Sequence, residues 1–165
     1  MSRIFRTGLG QDSHRFLLEK EAKPCVIAGI FFDGVPGLDA DSDGDVVFHA
    51  LCNAISSLTH VPILGKVAID LCKQGITDSR HYLDHALATL SPYTIEHLAF
   101  SIEGVRPKFQ PHALAMRQSI AAATKSKLHQ VGITFTSGDR LTSFGRGEGL
   151  MCLCLLTTSH DTSIG

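Results

Sequence analysis

The order of strand-like and helix-like segments restricts the fold of this chain more than any other feature of its sequence. Short alternating apolar segments predict strands, whereas apolar residues that recur every three or four positions predict helices. The predicted strands cover residues 4–10, 25–32, 93–102, 131–135 and 150–157. One predicted helix begins at residue 46, and three more cover residues 66–73, 80–90 and 111–125. Because strands and helices do not alternate regularly, we predict an α+β sandwich, in which one sheet carries its helices on one face.

Length and charge narrow the class of protein. The chain has 165 residues, 44% apolar and 19% charged, which fits a single domain over residues 1–165 and excludes a disordered chain. With 15 basic and 16 acidic residues, the formal net charge is −1, so no overall field attracts nucleic acid or an acidic membrane. Any polyanion must be held by a few placed cations, by helix N-termini or by bound metal. We expect residues from about 158 to 165 to be frayed.

The apolar runs and the cysteines indicate in which cellular compartment the protein lies. The longest apolar run, residues 150–156, is far shorter than the roughly 20 residues that cross a bilayer. The first residues show neither the apolar core of a secretory signal nor a long basic leader, so we expect a cytoplasmic protein without membrane association. The five cysteines are odd in number and include no Cys-x-x-Cys pair, which favours reduced core thiols over disulfides.

The first candidate site lies in residues 8–14, which read Gly-Leu-Gly-Gln-Asp-Ser-His. In an extended chain, Asp12 and His14 point to the same side and can converge on one ion. The glycines allow a bulky neighbour to approach the backbone closely. The alternative is that both side chains only form hydrogen bonds with loop backbone.

The second candidate site is rich in acid, with four aspartates within seven residues. Carboxylates this close repel each other unless a cation or helix N-terminal amides accept their charge. A calcium loop is one interpretation, because Asp39, Asp41 and Asp43 occupy alternating positions of an EF-hand loop. However, Ala50 stands where that loop requires glutamate, which disfavours calcium. The other interpretation is an acidic turn that caps the following helix. The candidate caps are Ser42, Asp43 and Asp45.

His49 lies about one turn into the helix predicted after this acidic segment. A neutral imidazole at this position could face Asp12 and His14 across a cleft. One aspartate and two histidines with an open fourth position are a donor set typical of catalytic zinc. The sequence therefore indicates a candidate zinc site.

The third candidate site is residues 134–149, which combine hydroxyl residues, an acid and an arginine between glycines. Thr136 and Ser137 can donate hydrogen bonds to phosphate oxygens. Asp139 can hold a divalent cation, and Arg146 has room to bind an anion bidentately. The alternative is an ordinary hairpin.

Residues 106–111 form a proline-rich segment that includes Pro107 and Lys108. This segment could supply backbone donors and one cation to a nucleotide. A proline-rich connection between a strand and a helix explains it equally well.

Four blocks occur in order over nearly the full length of the chain. They are Asp12-Ser13-His14, Ser42-Asp43-Gly44-Asp45 with His49, Pro107-Lys108, and Gly145-Arg146-Gly147-Glu148-Gly149. In this combination the chain resembles the 2-C-methyl-D-erythritol 2,4-cyclodiphosphate synthase family. The resemblance implies a homotrimer of ferredoxin-like α+β subunits, each a two-layer sandwich with one mixed sheet, and active sites between neighbouring subunits. It also implies a lyase of the non-mevalonate isoprenoid pathway, which cyclises 4-diphosphocytidyl-2-C-methyl-D-erythritol 2-phosphate and releases CMP.

The resemblance implies two metals and a further ligand. Zinc would be held by the positions that match Asp12, His14 and His49. Magnesium or manganese would lie near Asp139, with the substrate diphosphate. Arg146 would point to the trimer axis, where this family has a hydrophobic cavity that takes an isoprenoid diphosphate.

The resemblance also implies catalytic and substrate-binding roles. Ser137 would polarise the attacked phosphate, and Asp41 would hold the other catalytic position, in a loop over the erythritol phosphate. Pro107 and Lys108 would face the cytidine. The positions implied to bind substrate are Asp12, His14, Asp41, Ser42, Ile63, Gly65, Pro107, Lys108, Thr136, Ser137, Asp139 and Arg146.

Several positions depart from the family pattern. Asn53 stands where the family usually has aspartate, and Thr136-Ser137-Gly138-Asp139 stands where it usually has Thr-Thr-Thr-Glu. Two further departures bear on function. Asp41 stands where the family usually has histidine, and Ile63 stands where it usually has aspartate. These departures favour one alternative function, a catalytically impaired trimer that binds an isoprenoid diphosphate. Another alternative is a metal-dependent phosphodiester or diphosphate hydrolase, in which the same aspartate and two histidines activate water.

Overall fold

The computed structural model describes residues 2–18 and 23–162. The strands are β1 (Ser2–Arg15), β2 (Cys25–Ile27), β3 (Ile30–Phe32), β4 (Thr94–Glu103), β5 (Val131–Thr136) and β6 (Gly149–Thr162). The α-helices are α1 (Val46–Thr59), α2 (Lys66–Lys73), α3 (Ser79–Ala88) and α4 (Ala113–Thr124). Three short 3₁₀ turns cover Gln110–His112, Leu128–Gln130 and Gly138–Arg140. Within the described ranges, no helix has both the length and the apolar character needed to cross a membrane.

Four strands form one mixed sheet in the order β1-β6-β4-β5. β6 pairs antiparallel with both β1 and β4, whereas β5 pairs parallel with β4. β2 and β3 form a separate antiparallel hairpin. Side chains of β6 alternate between a buried face, with Cys152 and Cys154, and a more exposed face, with Leu155. The helices cover the buried face, so the predicted α+β sandwich is confirmed.

The extents of three strands differ from the prediction. β1 runs from Ser2 to Arg15 and so extends beyond the predicted residues 4–10 at both ends. The single strand predicted over residues 25–32 is a hairpin, because Ala28 and Gly29 turn the chain with φ angles of 56° and 72°. β6 extends through Thr162, which pairs with Ser2, so the fraying expected from about residue 158 does not begin there. The long β1 supplies hydrogen-bond partners along the whole of β6. Residues 163–165 and the charged segment 19–22 lie outside the described residues.

Asp45 caps α1 and also holds the β2–β3 turn. Its Oδ1 accepts from the backbone N–H groups of Val47 and Phe48 at 3.0 and 3.2 Å. The same carboxylate accepts from the N–H groups of Ala28 and Gly29 at 2.9 and 2.6 Å. Burial raises the pKa of Asp45 to about 6. Of the three candidate caps, Asp45 is therefore the N-cap of α1, and its carboxylate joins the β2–β3 hairpin to the start of this helix.

The outer face of the sheet exposes apolar side chains. Leu9 and Leu155 are paired neighbours on β1 and β6 and are 61% and 44% exposed. Phe5, also on β1, is 60% exposed. An exposed apolar surface on a sheet commonly marks a contact with another molecule.

All five cysteines are free thiols, and four of them are buried. Burial raises the pKa of Cys25 to about 12, so this thiol stays protonated at neutral pH. Four of the five thiols therefore lie in the core, as the sequence indicates.

Candidate functional site

The side chains of Asp12, His14 and His49 converge on one point between β1 and α1. Asp12 Oδ2 lies 2.8 Å from His14 Nε2 and 3.0 Å from His49 Nδ1. The two imidazole nitrogens lie 3.2 Å apart. Donor atoms around tetrahedral zinc lie about 3.3 Å apart when the ligand bonds are about 2.0–2.1 Å long. The predicted ligand set therefore comes together at a size that fits zinc.

Two glycines of β1 allow α1 to lie close enough for this convergence. A Cβ added at Gly10 would lie 2.0 Å from the carbonyl oxygen of Ala50. A Cβ added at Gly8 would lie 2.2 Å from the carbonyl oxygen of Ala54. The bulky neighbour predicted for these glycines is thus α1, whose first turn carries His49.

The second nitrogen of each imidazole also has a hydrogen-bond partner. His14 Nδ1 lies 3.0 Å from the carbonyl oxygen of Asp39, which can only accept. His49 Nε2 lies 2.8 Å from Ser79 Oγ. When these two nitrogens carry the protons, the nitrogens that face Asp12 carry lone pairs. Three lone-pair donors that point at one place need a cation between them, so the arrangement fits a transition metal such as zinc.

Asp12 and His14 shift each other's ionisation. Burial by itself raises the pKa of Asp12, but hydrogen bonds with His14 and His49 outweigh burial and hold this pKa below its usual value. Burial by itself lowers the pKa of His14, but the hydrogen bond with the Asp12 carboxylate outweighs burial and raises this pKa above its usual value. A proton on His14 Nε2 therefore competes with a metal ion for the same lone pair.

We expect metal retention to fall as the pH falls. Metal binding needs the unprotonated Nε2 of His14, and the raised pKa lets protons compete at a higher pH than for an ordinary histidine, whose pKa is about 6.5. Affinity should be full above the raised pKa and should decline progressively below it. Dialysis of metal-loaded protein from about pH 8 down to about pH 5, followed by metal analysis, measures this dependence. Metal content that stays constant over this range, or that falls as the pH rises, contradicts His14 as a ligand.

Hydrogen bonds within the chain hold the acidic segment. Asp43 accepts from the backbone N–H groups of Asp45 and Ser79, both at 3.0 Å, and from the Ser79 hydroxyl. Lys23 donates at 2.8 and 2.7 Å to the two carbonyl oxygens on either side of Asp39. Together with the cap at Asp45, these contacts explain the acidic residues as a helix-capping turn.

Neither Ser79 nor Lys23 was identified from the sequence. Ser79 directly follows Asp78, the N-cap of α3, so the local pattern indicates only a helix start. Lys23 lies in a charged segment without any spacing signal. Their contacts join residues far apart in the chain, which leaves no periodic pattern.

Two of four further predicted residues, Asp41 and Ser42, lie in the loop beside the candidate metal centre formed by Asp12, His14 and His49. The Ser42 hydroxyl is buried and lies 3.3 Å from His49 Nε2, whereas Asp41 is exposed. Both residues line a cavity of about 520 Å³. The side chain of Ile63 packs in the core. Gly65 precedes α2 with a φ angle of 134°.

The predicted phosphate- and nucleotide-binding residues form a second group at the end of β5. A cavity of about 420 Å³ is lined in part by Pro107, Lys108, Thr136 and Ser137. A second cavity, of about 610 Å³, is lined in part by Ser137, Asp139 and Arg146. The two cavities therefore adjoin at Ser137, whose hydroxyl donates to Asp139 Oδ1 at 3.2 Å. Arg146 Nε pairs with Glu148 at 3.1 Å.

The candidate metal centre and the Ser137 group lie at opposite edges of the sheet within one chain. One row across the four strands is formed by Ser13, Met151, Glu103 and Thr136. Three spacings of about 4.8 Å separate the ends of this row, which places Ser13 and Thr136 about 14 Å apart. Asp12 and His14 flank Ser13, and Ser137 follows Thr136.

Known proteins share this fold and much of this sequence. The 2-C-methyl-D-erythritol 2,4-cyclodiphosphate synthase of Chlamydia felis (strain Fe/C-56) is 57% identical over 156 residues, which are 93% of this chain and 89% of that protein. The bifunctional IspDF of Campylobacter jejuni matches 97% of this chain with a TM-score of 0.85 and 25% identity, and the match spans 43% of that longer chain. A 2C-methyl-D-erythritol-2,4-cyclodiphosphate synthase structure in a CDP-bound form has a TM-score of 0.80 and 24% identity, over 93% of this chain and 99% of that chain. The YgbB family model matches residues 5–159, and the chain belongs to this family.

Proposed function

We propose that this protein is a zinc-dependent 2-C-methyl-D-erythritol 2,4-cyclodiphosphate synthase, a lyase of the non-mevalonate isoprenoid pathway. The observation that carries the proposal is the convergence of Asp12, His14 and His49 in a chain of the YgbB family. The relative from Chlamydia felis, which is 57% identical, is named as a synthase with this activity. The CDP-bound structural neighbour supports a cytidine nucleotide as part of the ligand.

The proposed reaction takes place within one anionic substrate, 4-diphosphocytidyl-2-C-methyl-D-erythritol 2-phosphate. An oxygen of the 2-phosphate attacks the β-phosphorus, the bond from the β-phosphorus to the bridging oxygen breaks, and CMP leaves with that oxygen. The protein therefore has to fold the substrate back on itself and stabilise negative charge at the β-phosphate. Zinc bound by Asp12, His14 and His49 would supply Lewis acidity toward a phosphate oxygen.

The group at the end of β5 is proposed to hold the diphosphate and the nucleotide. Ser137 is exposed where two cavities adjoin, so its hydroxyl can donate to the attacked phosphate, with Thr136 beside it. Asp139 presents an exposed carboxylate, and magnesium or manganese commonly binds through one carboxylate together with phosphate oxygens. Pro107 and Lys108 line the cavity that would take the cytidine.

The loop beside the metal centre is proposed to hold the erythritol phosphate. Asp41 and Ser42 line the cavity of about 520 Å³, and the Ser42 hydroxyl lies 3.3 Å from His49 Nε2. Asp41 would act in this cavity as the second catalytic residue. Ile63 and Gly65 would contribute backbone groups, since the Ile63 side chain is in the core and Gly65 has none.

We propose that each active site lies between two chains of a homotrimer. About 14 Å separate the two groups within one chain, which is too far for both to contact one phosphate. A second copy that brings its β5 edge toward β1 of the first would close this gap. The exposed Phe5, Leu9 and Leu155 supply apolar surface for such an assembly. Arg146, which is exposed, would then bind an isoprenoid diphosphate at the trimer axis.

Turnover of the cytidine substrate in oxygen-labelled water tests the reaction. We expect release of CMP and a cyclic product that contains no label, because the attacking oxygen comes from the substrate's own phosphate. A metal-dependent hydrolase would place the label in its product. A protein that binds substrate without releasing CMP would instead support the catalytically impaired alternative, which the departures at Asp41 and Ile63 favour.

Mixing two inactive variants tests the shared active site. One variant is His49→Ala, and the other combines Ser137→Ala with Asp139→Ala. Chains that exchange at random should regain activity at about one quarter of the sites, because that fraction pairs an intact metal centre with an intact neighbouring Ser137 group. CMP release by the mixture, with each variant alone as control, measures this gain. If dissociated and reassembled mixtures remain as inactive as their parents, each chain holds a complete site.

A further inference from the structure

Ser79 lies behind His49, on the side of the imidazole away from Asp12 and His14. It is the first residue of α3 and is fully buried. Its hydroxyl oxygen lies 2.8 Å from His49 Nε2, and its hydroxyl proton is donated to the carboxylate of Asp43. The backbone N–H of Ser79 donates to the same carboxylate at 3.0 Å. The hydroxyl and the backbone N–H of Ser79 thus both donate to the carboxylate of Asp43.

The hydrogen bonds among His49, Ser79 and Asp43 all donate in one direction, from His49 to Ser79 and from Ser79 to Asp43. A carboxylate only accepts, so the single hydroxyl proton of Ser79 is used by Asp43. The hydroxyl oxygen can then only accept, which requires a proton on His49 Nε2. A neutral imidazole protonated at Nε2 carries its lone pair on Nδ1, and Nδ1 is the nitrogen that faces Asp12 at 3.0 Å.

We propose that Ser79 is a positioning residue, which holds His49 in the tautomer and orientation that present Nδ1 to a metal ion. The inference rests on the proposed metal centre and adds a residue that does not touch the metal. Partners on the far side of a ligating histidine generally fix its tautomer and raise its affinity for the metal. Asp43, Ser79 and His49 then form a chain of hydrogen bonds that ends at the metal.

Ser42 is less able to select the tautomer. Its Oγ lies 3.3 Å from the same nitrogen of His49 and accepts from the N–H of Gly44 at 3.1 Å. The structure shows no carboxylate within the described residues that accepts the Ser42 proton, so this hydroxyl is compatible with either tautomer. A second residue of α3 also contacts His49. Tyr82, one turn after Ser79, stacks on the His49 ring with centroids 6.0 Å apart.

The zinc affinity of Ser79→Ala, measured by competition with a chelator, tests the proposal. We expect the affinity to fall roughly 10- to 100-fold, which is the usual effect of removing such a partner. Ser56→Ala is the matched control, since Ser56 Oγ on α1 is buried and has no hydrogen-bond partner among the described residues. This control should bind zinc as the unaltered protein does.

Proton NMR of the zinc-loaded protein provides a second readout. The unaltered protein should show an exchange-protected Nε2–H proton of His49 with a nuclear Overhauser contact to the β-protons of Ser79. In Ser79→Ala this proton should exchange faster with solvent and shift upfield. A purely structural role for Ser79 would lower stability without moving this proton.

Three results would overturn the role of Ser79. They are unchanged zinc affinity in Ser79→Ala, an equal loss in Ser56→Ala, and a zinc-loaded unaltered protein without an Nε2–H proton near Ser79. If Ser79→Ala does not fold, the spectrum of the unaltered protein decides alone. Failure of the unaltered protein to bind zinc overturns both the metal centre and the role of Ser79, whereas normal binding by Ser79→Ala overturns only the latter.

Discussion

Replacing His49 with alanine is expected to abolish metal retention and activity together while leaving the fold largely preserved. The substitution removes one of three donors, and the remaining Asp12 and His14 both lie on β1, so they cannot enclose the ion from the α1 side. We expect CMP release to fall by at least about a thousandfold, because the Lewis acid is lost with the metal. The loss of stability should be moderate, about 1–3 kcal/mol, as for other single buried replacements.

Metal analysis, circular dichroism and CMP release on the same preparation measure these three effects. His81→Ala is a suitable control, since His81 is an exposed histidine of α3 outside the ligand set. It should retain metal, fold and activity. A His49→Ala protein that turns over substrate without zinc would refute the ligand assignment.

Replacing Gly10 with alanine is expected to be strongly destabilising, by about 3 kcal/mol or more, although it adds a single methyl group. The new Cβ would lie 2.0 Å from the carbonyl oxygen of Ala50 and 2.3 Å from the backbone nitrogen of Ala54. Both atoms belong to the backbone of α1, which cannot move aside as a side chain can. α1 would therefore shift away from β1 and take His49 with it, so zinc affinity should fall as well.

Chemical denaturation and zinc titration of Gly10→Ala check both effects. Gly132→Ala offers a matched control in β5 of the same sheet, because the nearest atom to its added Cβ is His97 Nε2 at 3.6 Å, an ordinary contact. We expect that control to change stability by less than about 1 kcal/mol. Equal stabilities for the two variants would show that α1 does not depend on the close approach at Gly10.

Local pattern was sufficient for much of the fold but not for its turns. The helix predicted over residues 66–73 coincides with α2, and the helix predicted over residues 80–90 corresponds to α3. The turn at Ala28 was missed because alanine rarely adopts a positive φ angle. That turn is imposed by Asp45, which lies 17 positions away and accepts the N–H of Ala28. Such a contact has no local signature.

The convergence of Asp12, His14 and His49 could also be predicted in part from the sequence. The i, i+2 spacing of Asp12 and His14 in a strand fixes their common side, and the acidic turn places His49 at the start of a helix. Which nitrogen of each imidazole faces the ion depends on Asp39 and Ser79. Those partners are set by tertiary packing, and the sequence alone does not reveal them.

The cap at Asp45 has a consequence for how a metal ion would bind. One carboxylate binds four backbone N–H groups from the hairpin turn and from α1, so the position of His49 is fixed by protein contacts alone. A preorganised pocket of this kind loses little conformational entropy when the ion arrives. Most of the binding free energy should therefore appear as affinity rather than as coupled folding, and a chelator should strip the ion without unravelling the chain.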